Sequence, residues 1–333
     1  MDLLNALVAV LNYVVVPATA YGAQLALGAL GVTLIYGILR FSNFAHGDTM
    51  AFGTTMTILV TWGLQAMGVG FGPLPTALLA LPFGIALTAA LMLLTDRAVY
   101  RYYRRVRAAP VILVMVSIGV MFVMNGLTRL IIGVEEIKFD DGARFLITAK
   151  EWRDWTGLAE PLAIRSTQAI TVVVAGLMVW ALFWFQARTR TGKSMRAYAD
   201  NEDLALLSGI NPDRVVAVTW IIAAALATTA GVLFGLDKSF KAFNYFQLLL
   251  PVFAAAVVGG LGSPLGAIAG GFIVAFSEVG VTYAWKKVAT YLGLQSDGLL
   301  QLLSTEYKFA VSFVILIIVL LFRPTGLFRG KAF

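Results

Sequence analysis

The sequence contains no cysteine and only one histidine, His46. Without cysteine the chain can form no disulfide bond and offers no thiolate nucleophile. A single histidine cannot build a metal site that needs several imidazole ligands. We therefore expect neither a metal ion nor a cofactor bound by this chain, and no enzymatic chemistry of its own.

Charged side chains are scarce and apolar ones are abundant. Charged residues make up 13% of the 333 residues and apolar residues 59%, with a mean hydropathy of +0.84. A soluble fold of this size could not bury so much apolar surface, and disordered chains are poor in apolar residues. The net charge of +7 fits the basic cytoplasmic loops of membrane proteins. We therefore expect the chain to lie in membrane lipid and not to bind nucleic acid.

Nine apolar segments divide the chain. They lie at 9–39, 46–66, 74–95, 110–132, 166–187, 214–236, 246–260, 264–284 and 305–323. Most reach the roughly 20 residues that a helix needs to cross hydrocarbon. The first is long for one span and carries Pro17, so one span and two spans remain open, and the short segment 246–260 could be a partial span. The sequence predicts one all-α polytopic domain over 1–333 with about eight to ten transmembrane helices.

Basic residues suggest the orientation. Segment 96–109 contains Arg97, Arg101, Arg104, Arg105 and Arg107. Dense arginine in a short loop predicts a cytoplasmic position. Counting spans onward places 133–165 in the periplasm, 188–213 in the cytoplasm and the C-terminus in the cytoplasm. Because no basic residue precedes Arg40, a cleaved signal peptide is not predicted.

A cluster of glycine and proline separates two of the apolar segments. Gly259, Gly260 and Gly262 are followed by Pro264. Glycine adopts backbone conformations that other residues avoid, and proline interrupts a helix. This cluster predicts a helix break, which could act as a hinge or line a path.

Five polar residues stand out in or beside the apolar segments. They are Asn43, His46, Asp48, Asn125 and Glu278. Ionisable groups inside membrane segments usually face a protein interior or a water-filled cavity, so all five are candidates for a translocation path. Structural roles also remain open, such as helix capping at Asn43 and Asp48, a hydrogen bond between helices at Asn125, or an interfacial position for Glu278.

The segment 188–213 contains Gly192-Lys193-Ser194, the end of a phosphate-binding loop motif. That motif also needs a glycine five positions before Gly192 and a preceding strand. Position 187 is alanine, and the segment follows an apolar span. Nucleotide binding by this chain is therefore not predicted.

The same segment predicts a short helix outside the membrane. A cap at Asp200 or Asn201, acids in the first turn, Gly209 and Pro212 are typical start and stop signals. Its residues of interest are Asp200, Glu202, Asp203, Leu204, Leu207 and Gly209. This helix could be an ordered loop packed on its own protein or a peg that docks into a cytoplasmic partner.

Four stretches resemble a known family. They are Ile35-Tyr36-Gly37-Ile38 with Asn43-Phe44-Ala45-His46-Gly47, then Ala199-Asp200 through Gly209-Ile210-Asn211-Pro212-Asp213-Arg214-Val215, then Val257-Val258-Gly259-Gly260-Leu261-Gly262-Ser263-Pro264-Leu265-Gly266, and finally Leu303-Ser304-Thr305-Glu306-Tyr307-Lys308 with Arg323-Pro324-Thr325-Gly326-Leu327. In this order they resemble permease subunits of bacterial ABC importers for branched-chain amino acids, and most closely the H-type permease of the leucine/isoleucine/valine system.

The resemblance implies a multi-pass permease of the bacterial inner membrane that works within a five-part importer. Its partners would be a second permease of the M type, two ATPase subunits that hydrolyse ATP, and a periplasmic substrate-binding protein. It implies that Asp200–Gly209 is the coupling helix, which contacts an ATPase subunit. Related permeases for urea and short amides share these motifs, and segment 134–165 departs most from the family. A secondary transporter or channel is the alternative from another class.

Overall fold

The structure is a computed structural model that describes residues 2–139, 141–293, 298, 300–304, 307–323 and 325–328. Its elements are α1 (Asp2–Leu39), α2 (His46–Ala66), α3 (Ala77–Arg105), α4 (Pro110–Ile132), β1 (Phe145–Ile147), α5 (Ala149–Thr156), β2 (Ile164–Arg165), α6 (Ser166–Arg188), α7 (Arg190–Asp200), α8 (Glu202–Leu207), α9 (Pro212–Lys238), α10 (Ala242–Gly259), α11 (Pro264–Thr282), α12 (Lys286–Tyr291) and α13 (Lys308–Phe322).

Seven of the described helices are long and apolar enough to cross a membrane: α1, α3, α4, α6, α9, α10 and α11. Helix α2 has 21 residues but is rich in buried threonine, and α13 has 15 residues. The described residues therefore contain seven candidate spans, one fewer than the lower end of the predicted range, and counting α2 and α13 as spans as well would give nine. The last predicted segment began at residue 305, and residues 305 and 306 lie outside the described part.

Helix α1 runs without a break through Pro17, so the first segment is one helix and not two. A π-helical turn at Leu11–Val15 precedes the proline. Proline lacks the amide hydrogen that an α-helix uses at each position, and the wider π turn accommodates that loss. Beyond this turn α1 is buried on nearly all sides, which makes it the central helix of the bundle.

The second uncertain segment also forms a full helix. Helix α10 begins at Ala242, four residues before the predicted start, and its 18 residues pass the criteria for a membrane span. Its mean hydropathy stays high because apolar residues flank Pro251 on both sides. The interpretation of 246–260 as a partial span is therefore wrong by length and composition.

The connecting segments gather at two ends of the bundle. At one end Ile137 and Phe240 form a β-bridge, and Ala143 donates a hydrogen bond to the Pro73 carbonyl at 2.7 Å. At the other end Arg101 forms an ion pair with Asp213 at 2.8 Å. This grouping is what the predicted topology requires. The assignment of the arginine-rich end to the cytoplasm stays a prediction.

Two segments differ from their predicted form. The arginine-rich segment is helical up to Arg105, since arginine is a good helix former, so the connection to α4 is only 106–109. Segment 133–165 contains a two-stranded antiparallel ladder, β1 with β2, which the all-α prediction omitted. Helix α5 begins with a capping box in which the backbone and hydroxyl of Thr148 hold the pKa of the Glu151 carboxyl below its usual value.

Candidate functional site

The predicted short helix is present as α8. Asn201, and not Asp200, caps it by accepting a hydrogen bond from the Leu204 amide at 3.0 Å, because Asp200 is the last residue of α7. Gly209 follows the helix with a φ of +79°. This left-handed conformation favours glycine, and it confirms the predicted stop.

Helix α8 presents apolar side chains to its surroundings. Leu204 is 61% exposed and Leu207 is 86% exposed, while Ala205 is buried. Because residues three apart share one side of a helix, the two leucines form an apolar face without cover in this chain. Glu202 and Asp203 are exposed beside them. Whether α8 is a docking peg or an ordered loop stays a prediction.

Helix α7 connects α8 to the body of the bundle. Arg40 at the end of α1 donates a hydrogen bond to the Ala199 carbonyl at 2.5 Å. Tyr198 is buried and donates a hydrogen bond to Glu202 at 2.6 Å, and burial together with this carboxylate raises the pKa of the phenol. Gly192 lies directly against the backbone of Phe185 in α6. Close helix packing therefore explains this glycine, which the sequence showed only as part of an incomplete phosphate motif.

A buried polar contact beside this region was missed by the sequence analysis. Asp96, in a π-helical turn of α3, pairs with Arg104 through two hydrogen bonds and accepts a third from the Trp220 indole of α9 at 2.8 Å. It thereby connects α3 to one of the two spans that flank the α7–α8 segment. Asp96 lay at the edge of the arginine-rich segment, and no local pattern pairs it with a tryptophan 124 positions away.

Much of the connection between α1 and α2 lies inside the bundle, because Phe41, Asn43 and Ala45 are buried. Asn43 is buried, and its side-chain oxygen accepts hydrogen bonds from the Ala45 amide at 3.2 Å and the Tyr100 hydroxyl at 3.3 Å. The Phe44 amide donates to the Ser117 hydroxyl at 3.1 Å. Asn43 therefore caps the turn before α2, while the first turn of the helix receives no side-chain cap from Ala45.

His46 begins α2 and is also buried within the chain. Its ring lies against Gly31 of α1, where an added Cβ would lie 2.5 Å from the ring Cε1. Only glycine leaves room for the imidazole at this crossing. The structure thus brings Asn43 and His46 into the packed interior, and a role for either in a translocation path stays a prediction.

Asp48 and Asn125 meet at a cavity that is open on one side. Asn125 of α4 donates a hydrogen bond to Asp48 Oδ1 at 2.7 Å, which is the contact between helices that the sequence left open. Both line a cavity of about 170 Å³ between α2, α4 and α10. Asn125 lies seven residues from the nearer end of α4, or about 10 Å at 1.5 Å per residue. Asn125 therefore lies well away from the ends of α4 and is half-buried, while Asp48 is fully buried.

Glu278 is buried in α11 and does not reach an interface. It is 1% exposed, and Glu278 Oε1 accepts a hydrogen bond from the Ser312 hydroxyl of α13. The interpretation in which this carboxylate extends to the membrane surface is wrong. This hydrogen bond connects α11 to α13. A role for Glu278 in the translocation path stays a prediction.

The glycine-rich cluster forms the predicted break between α10 and α11. Gly260 and Gly262 have φ values of +107° and +87°, and Pro264 is the first residue of α11. The C-terminal segment binds the end of α10, because the Leu327 amide donates to the Val258 carbonyl at 2.9 Å. The C-terminal motif thus holds the end of α10 beside the helix break. Residue 324 of that motif lies outside the described residues.

Comparisons with known proteins agree with one another. The family described as "Branched-chain amino acid transport system / permease component" matches residues 15–320. The chain is 32% identical over 309 residues to the high-affinity branched-chain amino acid transport system permease protein LivH of Escherichia coli (strain K12), covering 92% of this chain and 91% of that protein. It is 31% identical over 313 residues to the permease protein BraD of the same kind of system in Pseudomonas aeruginosa, covering 92% of each chain. It is also 25% identical over 318 residues to a probable LivH of Methanocaldococcus jannaschii, covering 93% of this chain and 90% of that protein.

Proposed function

The chain belongs to the family of branched-chain amino acid transport permeases, and on that premise we propose that it imports leucine, isoleucine and valine. It is a multi-pass inner-membrane protein and a transport component. The likeness to LivH and BraD over nine-tenths of each chain carries the proposal. The path would form between this chain and a second permease, in our proposal an M-type paralogue, and would need no cofactor on this chain.

The energy would come from separate ATPase subunits. The exposed leucines of α8 support this part of the proposal, because an apolar face outside the membrane calls for a protein partner. ATP binding would move α8 as a lever. Helices α6 and α9 flank the α7–α8 segment, and the contact between Asp96 and Trp220 would pass the movement from α9 to α3. A periplasmic binding protein would deliver the substrate at the end that contains segment 133–165.

Reconstitution tests the proposal. The chain would be placed in proteoliposomes with the second permease and ATPases from the same source organism, with the binding protein outside and ATP inside. We expect uptake of radiolabelled leucine that requires both ATP and the binding protein. Uptake of urea or a short amide in its place would overturn the substrate, and leucine uptake without ATPases along an ion gradient would overturn the mechanism.

A further inference from the structure

The cavity beside Asp48 is lined by acidic, basic and aromatic side chains. Its wall includes one acid, Asp48, one base, Arg129, and three phenylalanines, Phe122, Phe243 and Phe246. An acid and a base together within an apolar wall are unusual in a membrane bundle, since each charge is costly there. Ligand pockets in general have this composition, with apolar walls and a few placed polar groups.

Asp48 contributes an oxygen without a partner. The residue is 0% exposed, its Oδ1 accepts from Asn125, and its Oδ2 has no hydrogen-bond partner in the part of the chain that the structure describes. Buried polar atoms are paired in the great majority of cases, and an unpaired one costs free energy. A positively charged donor in the cavity would supply the missing contact.

Arg129 contributes a guanidinium on the same wall. Among the described residues no carboxylate lies within the 4.0 Å that defines an ion pair with it. Arginine binds carboxylates through two parallel hydrogen bonds. Arg129 therefore has the capacity to hold an anionic group in the cavity, opposite in charge to the group that suits Asp48.

We propose that this cavity binds the amino acid during its passage through the membrane, an inference that rests on the proposed function. The Asp48 carboxylate would receive the ammonium group, and the Arg129 guanidinium would receive the carboxylate. The three phenyl rings would surround the branched side chain. A dry cavity of about 150 Å³ can hold benzene, so about 170 Å³ has room for the branched carbons of leucine.

The same chemistry discriminates against the related cargoes. Urea and short amides carry no net charge on either end, and they have no branched alkyl group to fill an aromatic wall. They would leave both Asp48 and Arg129 without a charged partner, at a cost of desolvation. The cavity thus favours a zwitterion with an apolar side chain over the neutral amides.

The open side of the cavity fits a position at the subunit interface. Phe122 is 67% exposed and Phe243 is 49% exposed in the isolated chain, and Arg129 is exposed beside them. An exposed arginine facing hydrocarbon is unfavourable. The second permease of the proposed assembly would cover this side and complete the site.

Photolabelling tests the site on the unaltered protein. The assembled permease pair with its ATPases would be placed in nanodiscs without binding protein, irradiated with the diazirine analogue of leucine, and digested for mass spectrometry. We expect labels on residues 121–129 or 243–246 that excess leucine prevents. Leucine-sensitive labels that lie only elsewhere in the chain would overturn the site, even if leucine uptake is intact.

Charge-deleted competitors test the roles of the two residues. 4-Methylpentanoate lacks the ammonium group, and 3-methylbutylamine lacks the carboxylate. In the unaltered protein, leucine should prevent labelling at a concentration about tenfold lower than either compound needs. A tenfold difference corresponds to the loss of one charged hydrogen bond. Asp48→Asn should remove the advantage over 4-methylpentanoate only, and Arg129→Gln the advantage over 3-methylbutylamine only.

Two controls separate binding from folding. Arg153→Gln changes an exposed arginine on α5, away from the cavity, and should leave both ratios unchanged. If Asp48→Asn does not assemble, the exposed Arg129→Gln with rescue by Arg129→Lys decides the matter. An unchanged ratio in an assembled Arg129→Gln protein overturns the site. Absence of leucine uptake together with urea uptake overturns the proposed function instead.

Discussion

The Trp220 indole nitrogen donates a hydrogen bond of 2.8 Å to Asp96 Oδ1, on the same carboxylate that pairs with Arg104. Trp220 is fully buried and the Asp96 side chain is 10% exposed. The Asp96 carboxylate thus accepts hydrogen bonds from both the Trp220 indole and the Arg104 guanidinium, which lie on different helices. Removal of a buried ion-pair partner is costly because it leaves the other charge uncompensated.

Asp96→Ala should therefore lower the free energy of unfolding by about 3–5 kcal/mol, the scale for breaking a buried pair. The measurement is thermal unfolding of the purified protein in detergent. Arg101→Ala is the matched control, because its ion pair with Asp213 has side chains 37% and 60% exposed. Such exposed pairs contribute about 1 kcal/mol or less, so equal losses in both variants would contradict the assigned role of Asp96.

A second prediction concerns the contact between α10 and α11. A Cβ on Gly266 would overlap the Gly259 carbonyl, closer than real Cβ atoms come to other atoms. Gly266→Ala should lower the free energy of unfolding by about 1–3 kcal/mol, the usual cost of overpacking. Gly176→Ala in α6 meets nothing within 4 Å and should be neutral or stabilising by up to about 1 kcal/mol. Similar thermal unfolding of the two variants would contradict the close approach.

The sequence predicted most helices because a membrane span must be apolar along its whole length, and this property is visible in any window of the chain. It placed α4 at its exact bounds and the break at Gly260 and Gly262 correctly, since glycine and proline act locally. It could not pair Asp96 with Trp220 or bring Arg129 to Asp48, because such contacts depend on the packing of distant helices. The strands β1 and β2 were missed because a three-residue strand has no readable period.

The orientation of the bundle can be tested in a chain that has no native cysteine. Lys150→Cys lies on α5 and Tyr102→Cys on the last turn of α3, and both original side chains are exposed. An impermeant thiol reagent added to cells without their outer barrier should label position 150 and spare position 102, because arginine-rich segments stay in the cytoplasm. The reverse pattern would invert the topology.

Glu278→Gln should lower leucine uptake more than it lowers assembly. Glutamine keeps the size of the side chain and an acceptor for the Ser312 hydroxyl, but it removes the negative charge. Uptake in proteoliposomes and recovery of the assembled complex are measured together. Ser312→Ala is the comparison, because it removes the donor and keeps the carboxylate. Normal uptake by a normally assembled Glu278→Gln protein would assign Glu278 to helix packing alone.

The proposed coupling helix, α8, gives the sharpest test, because at its C-terminal end the effect of backbone conformation can be separated from the loss of a side-chain contact. Gly209 has a φ of +79°, and an added Cβ there meets nothing within 4 Å. Asparagine tolerates the left-handed conformation, whereas a β-branched residue does not. Gly209→Val should misdirect the chain toward Pro212 and lower ATP hydrolysis and leucine uptake together, while Gly209→Asn should retain most of both.

Changes on the apolar face of α8 test independently whether this helix contacts an ATPase. Leu204→Asp combined with Leu207→Asp leaves the helix cap at Asn201 intact and places two charges on the exposed face. Burial of each leucine against an ATPase would contribute about 1.5–3 kcal/mol at most, so the double variant should lose the ATPases on purification. If this protein retains the ATPases, and Gly209→Val turns over at the full rate, α8 is not the coupling element, because both its face and its geometry would then be dispensable.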